Sequence, residues 1–170
     1  MATKVTANFS LEEIQHSETA ARKGIVNNIT VDAYGVMRKL FTELMQPLRE
    51  HVGPIKITSG YRCLELNSTI GGSPRSQHMY NPKTGAACDF VHYRGEWTTT
   101  DLINAILELQ LPFDQVILEY PDIHTGGWVH ASVSGYQRPN RSEILVKKRK
   151  KPYVKIDPLK ENSWGIYKRV

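Results

Sequence analysis

Gly85-Ala86-Ala87-Cys88-Asp89-Phe90-Val91-His92-Tyr93 is an apolar run with a single carboxylate set into its first half. Residues 86–93 read as a strand opened by a turn residue, Gly85, and Asp89 sits close to the start of that strand. Just upstream, Ser76-Gln77-His78 lies in a polar stretch, residues 73–85, whose Ser, Pro, Asn and Gly content marks a loop. Downstream, Trp128-Val129-His130 begins an alternating run to Val133, so Trp128 and His130 point to one face of a strand. Loop, strand and hairpin can bring His78, Asp89 and His130 together. Two imidazoles and one carboxylate are ligand types for zinc, and catalytic zinc commonly takes three protein ligands and leaves its fourth position to water. Such a site needs the imidazoles neutral and the carboxylate ionised.

The rest of the chain frames these three residues. Ser10 with Glu13 three positions later is a capping-box signal, so a short helix starts at Ser10 and ends near Ser17. Gly24 and Asn27-Asn28 mark a loop. A longer helix begins at Thr30 or Asp32 and runs to about His51; Val36, Leu40, Leu44 and Leu48 recur at helical spacing, and Pro47 is expected to kink its last turn. Ile55 to Thr58 alternates like a strand, residues 63–72 suggest a short helix, and Thr98 caps a further helix whose Leu102, Ile103, Ile106, Leu107 and Leu109 form a buried face. Phe113 to Tyr120 and Trp128 to Val133 pair most simply as an antiparallel hairpin; Ser142 to Lys148 and Tyr153 to Ile156 form another. This order predicts an α+β fold in which a small, largely antiparallel sheet packs with helices.

Composition narrows the class. With 170 residues the chain suits one domain, read here as 1–170 with its core at about 8–146 and a basic hairpin and tail at 147–170. No stretch approaches the roughly 20 apolar residues of a membrane span. Met1-Ala2-Thr3-Lys4-Val5-Thr6 lacks an apolar signal core, so synthesis in a cytoplasm without a signal peptide is expected. The net charge of +5 is concentrated in Lys147-Lys148-Arg149-Lys150-Lys151. That run reads as a solvated hairpin tip; without interleaved aromatics or a recognition motif, nucleic acid is not the expected partner. Cys63 and Cys88 read as small, partly buried side chains, with Cys88 also weighed as a minor ligand because it adjoins Asp89.

Taken together, Ser59-Gly60-Tyr61-Arg62, Ser76-x-His78, Gly85-x-Ala87-x-Asp89 and Trp128-x-His130 resemble the zinc D-Ala-D-Ala carboxypeptidase family of peptidoglycan peptidases, whose fold is shared with the hedgehog signalling domain. The opening Asn8-Phe9-Ser10-Leu11-Glu12-Glu13, with Ser17-x-Thr19-Ala20 and Gly24-Ile25, resembles the small phage-type branch that includes endolysins. The resemblance implies a hedgehog/DD-peptidase-like fold and a metallopeptidase that cuts peptidoglycan stem peptides, of D-Ala-D-Ala carboxypeptidase or L-Ala-D-Glu endopeptidase type. It would reach the cell wall by host lysis or as part of a virion. His78, Asp89 and His130 would hold Zn2+. Arg62 would face the metal and steady a substrate carboxylate or the oxyanion, and Ser76 and Tyr61 would also meet substrate.

Two departures from the family pattern stand out. Asn81-Pro82-Lys83-Thr84 lengthens the loop between His78 and Gly85. The family's E-x-x-H ending would put a general base three residues before His130, and that position is Gly127. Glu119 is the expected replacement, because a turn near residues 123–125 sets it roughly opposite residues 129–130. Asp114, further from the turn, is the weaker choice, and Asp122 and His124 are weighed as gating residues in the turn. The absent Glu at 127 also leaves open a non-catalytic zinc-binding or wall-binding module on the same fold.

Overall fold

The helical spine is built on side chains that recur every three or four residues. In the computed structural model, which describes residues 2–121 and 127–166, Val36, Met37, Leu40, Phe41, Leu44, Met45 and Leu48 are all fully buried. Sequence spacing predicts one helix here. The chain instead forms α3 (Val31–Leu40), a π-helical turn (Phe41–Met45) and α4 (Gln46–Val52). The irregularity lies upstream of Pro47, not in the last turn. Pro47 has no N–H for the carbonyl four residues back, and its ring crowds that carbonyl; widening the preceding turn, with Gln46 N–H bonded to the Phe41 carbonyl, relieves both problems.

Before the spine, α1 (Leu11–Gln15) starts at Ser10, whose Oγ accepts the Glu13 N–H. A second short helix, α2 (Glu18–Lys23), follows where the sequence reading assigns no element. Ser17 caps its start, and Gly24, at φ 66°, closes its end in the left-handed region. Later come α5 (Leu64–Thr69) and α6 (Thr99–Glu108), the latter opened by a full capping box between Thr98 and Asp101.

Among the described residues, six strands form one sheet in the order β1-β2-β4-β3-β5-β6. They are β1 (Ile55–Ser59), β2 (Ala86–His92), β3 (Gln115–Glu119), β4 (Trp128–Val133), β5 (Glu143–Lys147) and β6 (Tyr153–Lys155). Neighbours are antiparallel except β3 and β5, which run parallel. The sheet is therefore largely antiparallel, as expected, with one parallel pair that sequence pattern does not announce. After β4, residues 134–142 cross beneath the start of β3 and enter β5 level with Gln115.

The pleat separates two faces. Val116, Leu118, Val129, Ala131, Ile144 and Val146 are buried in the core cluster shared with the helices. Asp89, Gln115, Ile117, Glu119, Trp128 and His130 line the opposite, open face. The tail behaves as a strap: Ile166 is fully buried, Asn104 Nδ2 donates to the Gly165 carbonyl at 2.9 Å, and Lys148 lies 4.7 Å above the Trp164 ring. The basic run forms the tip between β5 and β6, where Lys147 lies over the Tyr153 ring. No helix among the described residues is long and apolar enough to cross a membrane.

Candidate metal centre

The residues of the open face come from three locally determined pieces. The first is Ser59-Gly60-Tyr61-Arg62, leaving β1. A Cβ at Gly60 would collide with the Ile14 carbonyl, so only glycine lets the chain pass this close to α1. The bend turns the Gly60 carbonyl onto His78 Nδ1 at 2.8 Å. A carbonyl only accepts, so His78 carries its proton on Nδ1 and turns a lone pair on Nε2 toward the sheet.

The second piece is the 3₁₀ turn Gln77–Met79, capped by Ser76 Oγ, which accepts the His78 N–H at 3.3 Å. The Arg62 N–H bonds the His78 carbonyl at 2.8 Å, locking the two loops together. The four-residue insertion does not hang free. Asn81 and Gly85 bridge, Asn81 Oδ1 accepts the Lys83 N–H, and the Gln77 amide donates to the Thr84 carbonyl.

The third piece is the β2–β4 pairing, which sets Asp89 directly opposite His130. Asp89 Oδ1 lies 2.9 Å from His130 Nδ1 and 3.2 Å from His78 Nε2, and the two ring nitrogens are 3.3 Å apart. The edge of a tetrahedron around zinc, with bonds of about 2.0–2.1 Å, is about 3.3 Å. Three electron-pair donors at these separations, two imidazole and one carboxylate, fit a divalent cation in both type and spacing. His78, Asp89 and His130 are close enough to hold a metal ion between them.

The electrostatics agree. Burial opposes charge on Asp89, yet the His78 and His130 rings beside it hold its carboxyl far below the ordinary carboxylate range, so it stays ionised. Burial pushes the His78 imidazole down, toward the neutral form a metal needs. Asp89 Oδ2 takes a bond from Arg62 Nη2 at 3.1 Å, and Ser59 Oγ holds the same guanidinium through Nε and Nη2. Arg62 thus fixes the orientation of a carboxylate that could ligate a metal, as well as lining the cleft.

The cleft has a volume of about 1230 Å³ and contains Arg62, Ser76, His78, Asp89, Glu119 and His130. Tyr61 does not line it. Its ring is buried against Tyr80, centroids 5.3 Å apart, and it is a packing residue where the resemblance implies a substrate contact. Glu119 is on the right face, with a register different from the one expected. It opposes Trp128, and Ile117 opposes His130, so Glu119 is a diagonal neighbour two positions along the strand. Burial, then the charge of Asp89, raises its carboxyl above the ordinary value. Cys88 points into the core, where burial pushes its thiol well up; strand alternation separates it from Asp89 and the cleft. Asp122 and His124 lie outside the described residues.

Gly127 has a structural reason to be glycine. Its φ is 71°, and a Cβ there would fall on the Glu119 carbonyl oxygen and crowd Tyr120. A glutamate cannot occupy this position without displacing the strand that carries Glu119.

Sequence reasoning missed the role of Asp114. This carboxylate, at the mouth of β3, is fully buried and accepts from both guanidiniums of the 134–142 crossover, Arg138 at 2.6 and 2.8 Å and Arg141 at 2.7 Å. Gln77, next to His78, donates to it at 3.0 Å. The available signal was an acidic residue at the head of a buried strand, followed by two arginines three apart in the segment that must cross it.

A family model described as Peptidase M15 matches residues 7–130 of the chain. That span covers α1 through His130 and includes every proposed ligand. Comparison with curated proteins returns no match.

Proposed function

We propose that this chain, which belongs to the peptidase M15 family, is a zinc-dependent peptidase that hydrolyses a peptide bond in bacterial peptidoglycan stem peptides. The observation that carries this reading is the triangle of His78 Nε2, Asp89 Oδ1 and His130 Nδ1, with sides of 2.9 to 3.3 Å at the floor of an open cleft. A zinc ion held by these residues would supply Lewis acidity toward a scissile carbonyl and lower the pKa of water.

The chain's own residues account for the remaining requirements. Glu119, half-buried on the same face as His130, is the group that takes a proton from attacking water and passes it to the departing amine. Arg62 orients Asp89 through a hydrogen bond, and offers its remaining N–H groups to a substrate carboxylate or to developing negative charge. Ser76 holds the His78 turn at the rim. The resemblance of residues 8–25 to phage-type peptidases supports a role in host lysis or as a virion component.

Metal analysis and digestion of purified peptidoglycan, with mass spectrometry of the fragments, test the reading. One zinc per chain and a single class of cleaved bond are expected, and His78→Ala should lose both zinc and cleavage. A His78→Ala protein that still cleaves peptidoglycan sinks it.

A further inference from the structure

The cleft is not chemically uniform along β3. Gln115, Ile117 and Glu119 alternate onto its floor, and His130 stands beside Ile117 at the middle. The Glu119 end meets Trp128 and Tyr153. The Gln115 end holds Arg138 and Arg141, beside Asp114, and Arg75 and Lys83 also line the cleft. Asp114 and Gln115, where the two arginines are anchored, lie two to three strand positions from Ile117, the residue opposite His130, or about 7–10 Å at roughly 3.3 Å per residue.

Two of them are built in. Arg138 and Arg141 are anchored on one carboxylate, Asp114, which is 0% exposed, while the arginine side chains are 36% and 43% exposed. Asp114 also takes the Arg141 backbone N–H at 3.0 Å and the Gln77 amide. Glu143 pairs with Arg141 at 3.2 Å. Among the described residues Arg138 makes no second ion pair, although the charge of Glu143 also reaches it, and it is the freer of the two. Asp114 and Glu143 together offset the two guanidinium charges, Arg75 and Lys83 add positive charge to the same cleft, and the two arginines present their outer N–H groups with the ordering cost already met. This is the arrangement that favours capture of a carboxylate.

We infer that Arg138 and Arg141, mounted on Asp114, form a carboxylate subsite of the cleft that recognises an acidic residue about two positions from the bond being cut. The inference rests on the peptidase reading and deepens it by naming a substrate class: peptides with a free carboxylate at that distance, in preference to the same peptides carrying the amide. Arg138 is the specificity residue. Asp114 is a positioning residue, which acts through the two arginines.

The test uses a matched pair of synthetic stem peptides, identical except that the glutamate carboxyl is free or amidated. Cleavage is followed with the zinc-loaded chain, and binding is measured calorimetrically with the zinc-loaded Glu119→Gln chain. The free acid should bind and turn over at least about tenfold better, the scale of a lost hydrogen bond to a charged group. In Arg138→Gln that ratio should collapse toward one, with Arg138→Lys intermediate because it keeps the charge but has fewer donors to share between Asp114 and the substrate. Arg138→Gln leaves Asp114 held by Arg141 and Gln77, and a thermal melt checks that it folds; if it does not, the wild-type ratio and Arg138→Lys decide. Equal handling of both peptides by the wild type, or a preference that survives Arg138→Gln, overturns the subsite and leaves the peptidase reading standing. Preferential binding of the acid without cleavage of either peptide supports the subsite and overturns the peptidase reading. Neither binding nor cleavage overturns both.

Discussion

Substituting Gly127 by alanine adds one methyl group, and the structure gives that group nowhere to go. It would sit on the Glu119 carbonyl and against Tyr120, in a backbone conformation, φ 71°, that side-chain-bearing residues avoid. The left-handed conformation costs about 1–2 kcal/mol, and forcing a methyl into occupied space costs about 1–3 kcal/mol. Together these amount to about 2–5 kcal/mol, which for a chain of this length lowers the melting midpoint by roughly 4–20 °C. Differential scanning calorimetry of the zinc-loaded protein measures it. The clash falls on the strand end that carries Glu119, so turnover should drop at temperatures where the variant is still folded. Gly127→Glu, which restores the family's usual acid at this position, should be destabilised at least as much and should gain no activity. A Gly127→Ala protein that melts within about 1 °C of wild type with full turnover would refute the steric account of why position 127 carries no acid.

Other outcomes follow from the same geometry. Glu119→Gln should retain one zinc per chain but lose cleavage by about 10²-fold or more, the usual scale for a missing proton-transfer group; metal analysis beside a turnover assay separates the two effects. Asp114 is held far below its ordinary value of 3.8 by Arg138 and Arg141 in spite of burial, so its stabilising contribution is complete above that value and drains away as the pH falls below it. The melting midpoint should therefore fall steeply below about pH 4, and less steeply in Asp114→Asn, whose midpoint is already lower at pH 7. A thiol reagent should modify the half-buried Cys63 quickly and Cys88 only on unfolding, because Cys88 is fully buried with its thiol pushed well up. Labelling of both at equal rates would place β2 wrongly.

Much of this was legible because hydrophobic spacing is a local signal. The spine helices, the β3–β4 hairpin and the strand around Asp89 each announce themselves within about ten residues. The donor set was legible for another reason: His78, Asp89 and His130 are separated in sequence but bound to motifs whose order is itself informative. Three features were not legible. The π-helical turn depends on where Pro47 falls relative to a fully buried face. The parallel β3–β5 pair depends on which side of the sheet the chain returns to after β4. The Asp114 hub depends on that return path, since Arg138 and Arg141 meet the carboxylate only when residues 134–142 cross beneath it. The packing of Tyr61 against Tyr80 was not legible either, because a motif shared with a family does not say which way each side chain turns once Gly60 has bent the chain. Glu119 was placed by an assumed turn position opposite residues 129–130, and the observed pairing sets it opposite Trp128, since turn length alone does not fix register.

The division of the sheet into a core face and a cleft face has a consequence for quality control in the cell. Along β4, Val129 and Ala131 lie inside while Trp128 and His130 face the cleft, so pairing displaced by one residue would turn His130 inward and Ala131 outward. The same slip that destroys the donor set also loads the interior with imidazole and exposes the apolar row. A chain with a sound interior and a defective centre is therefore not a low-energy alternative, and mispaired copies carry the exposed apolar surface that chaperones and proteases recognise. The donor set and the core therefore depend on one register.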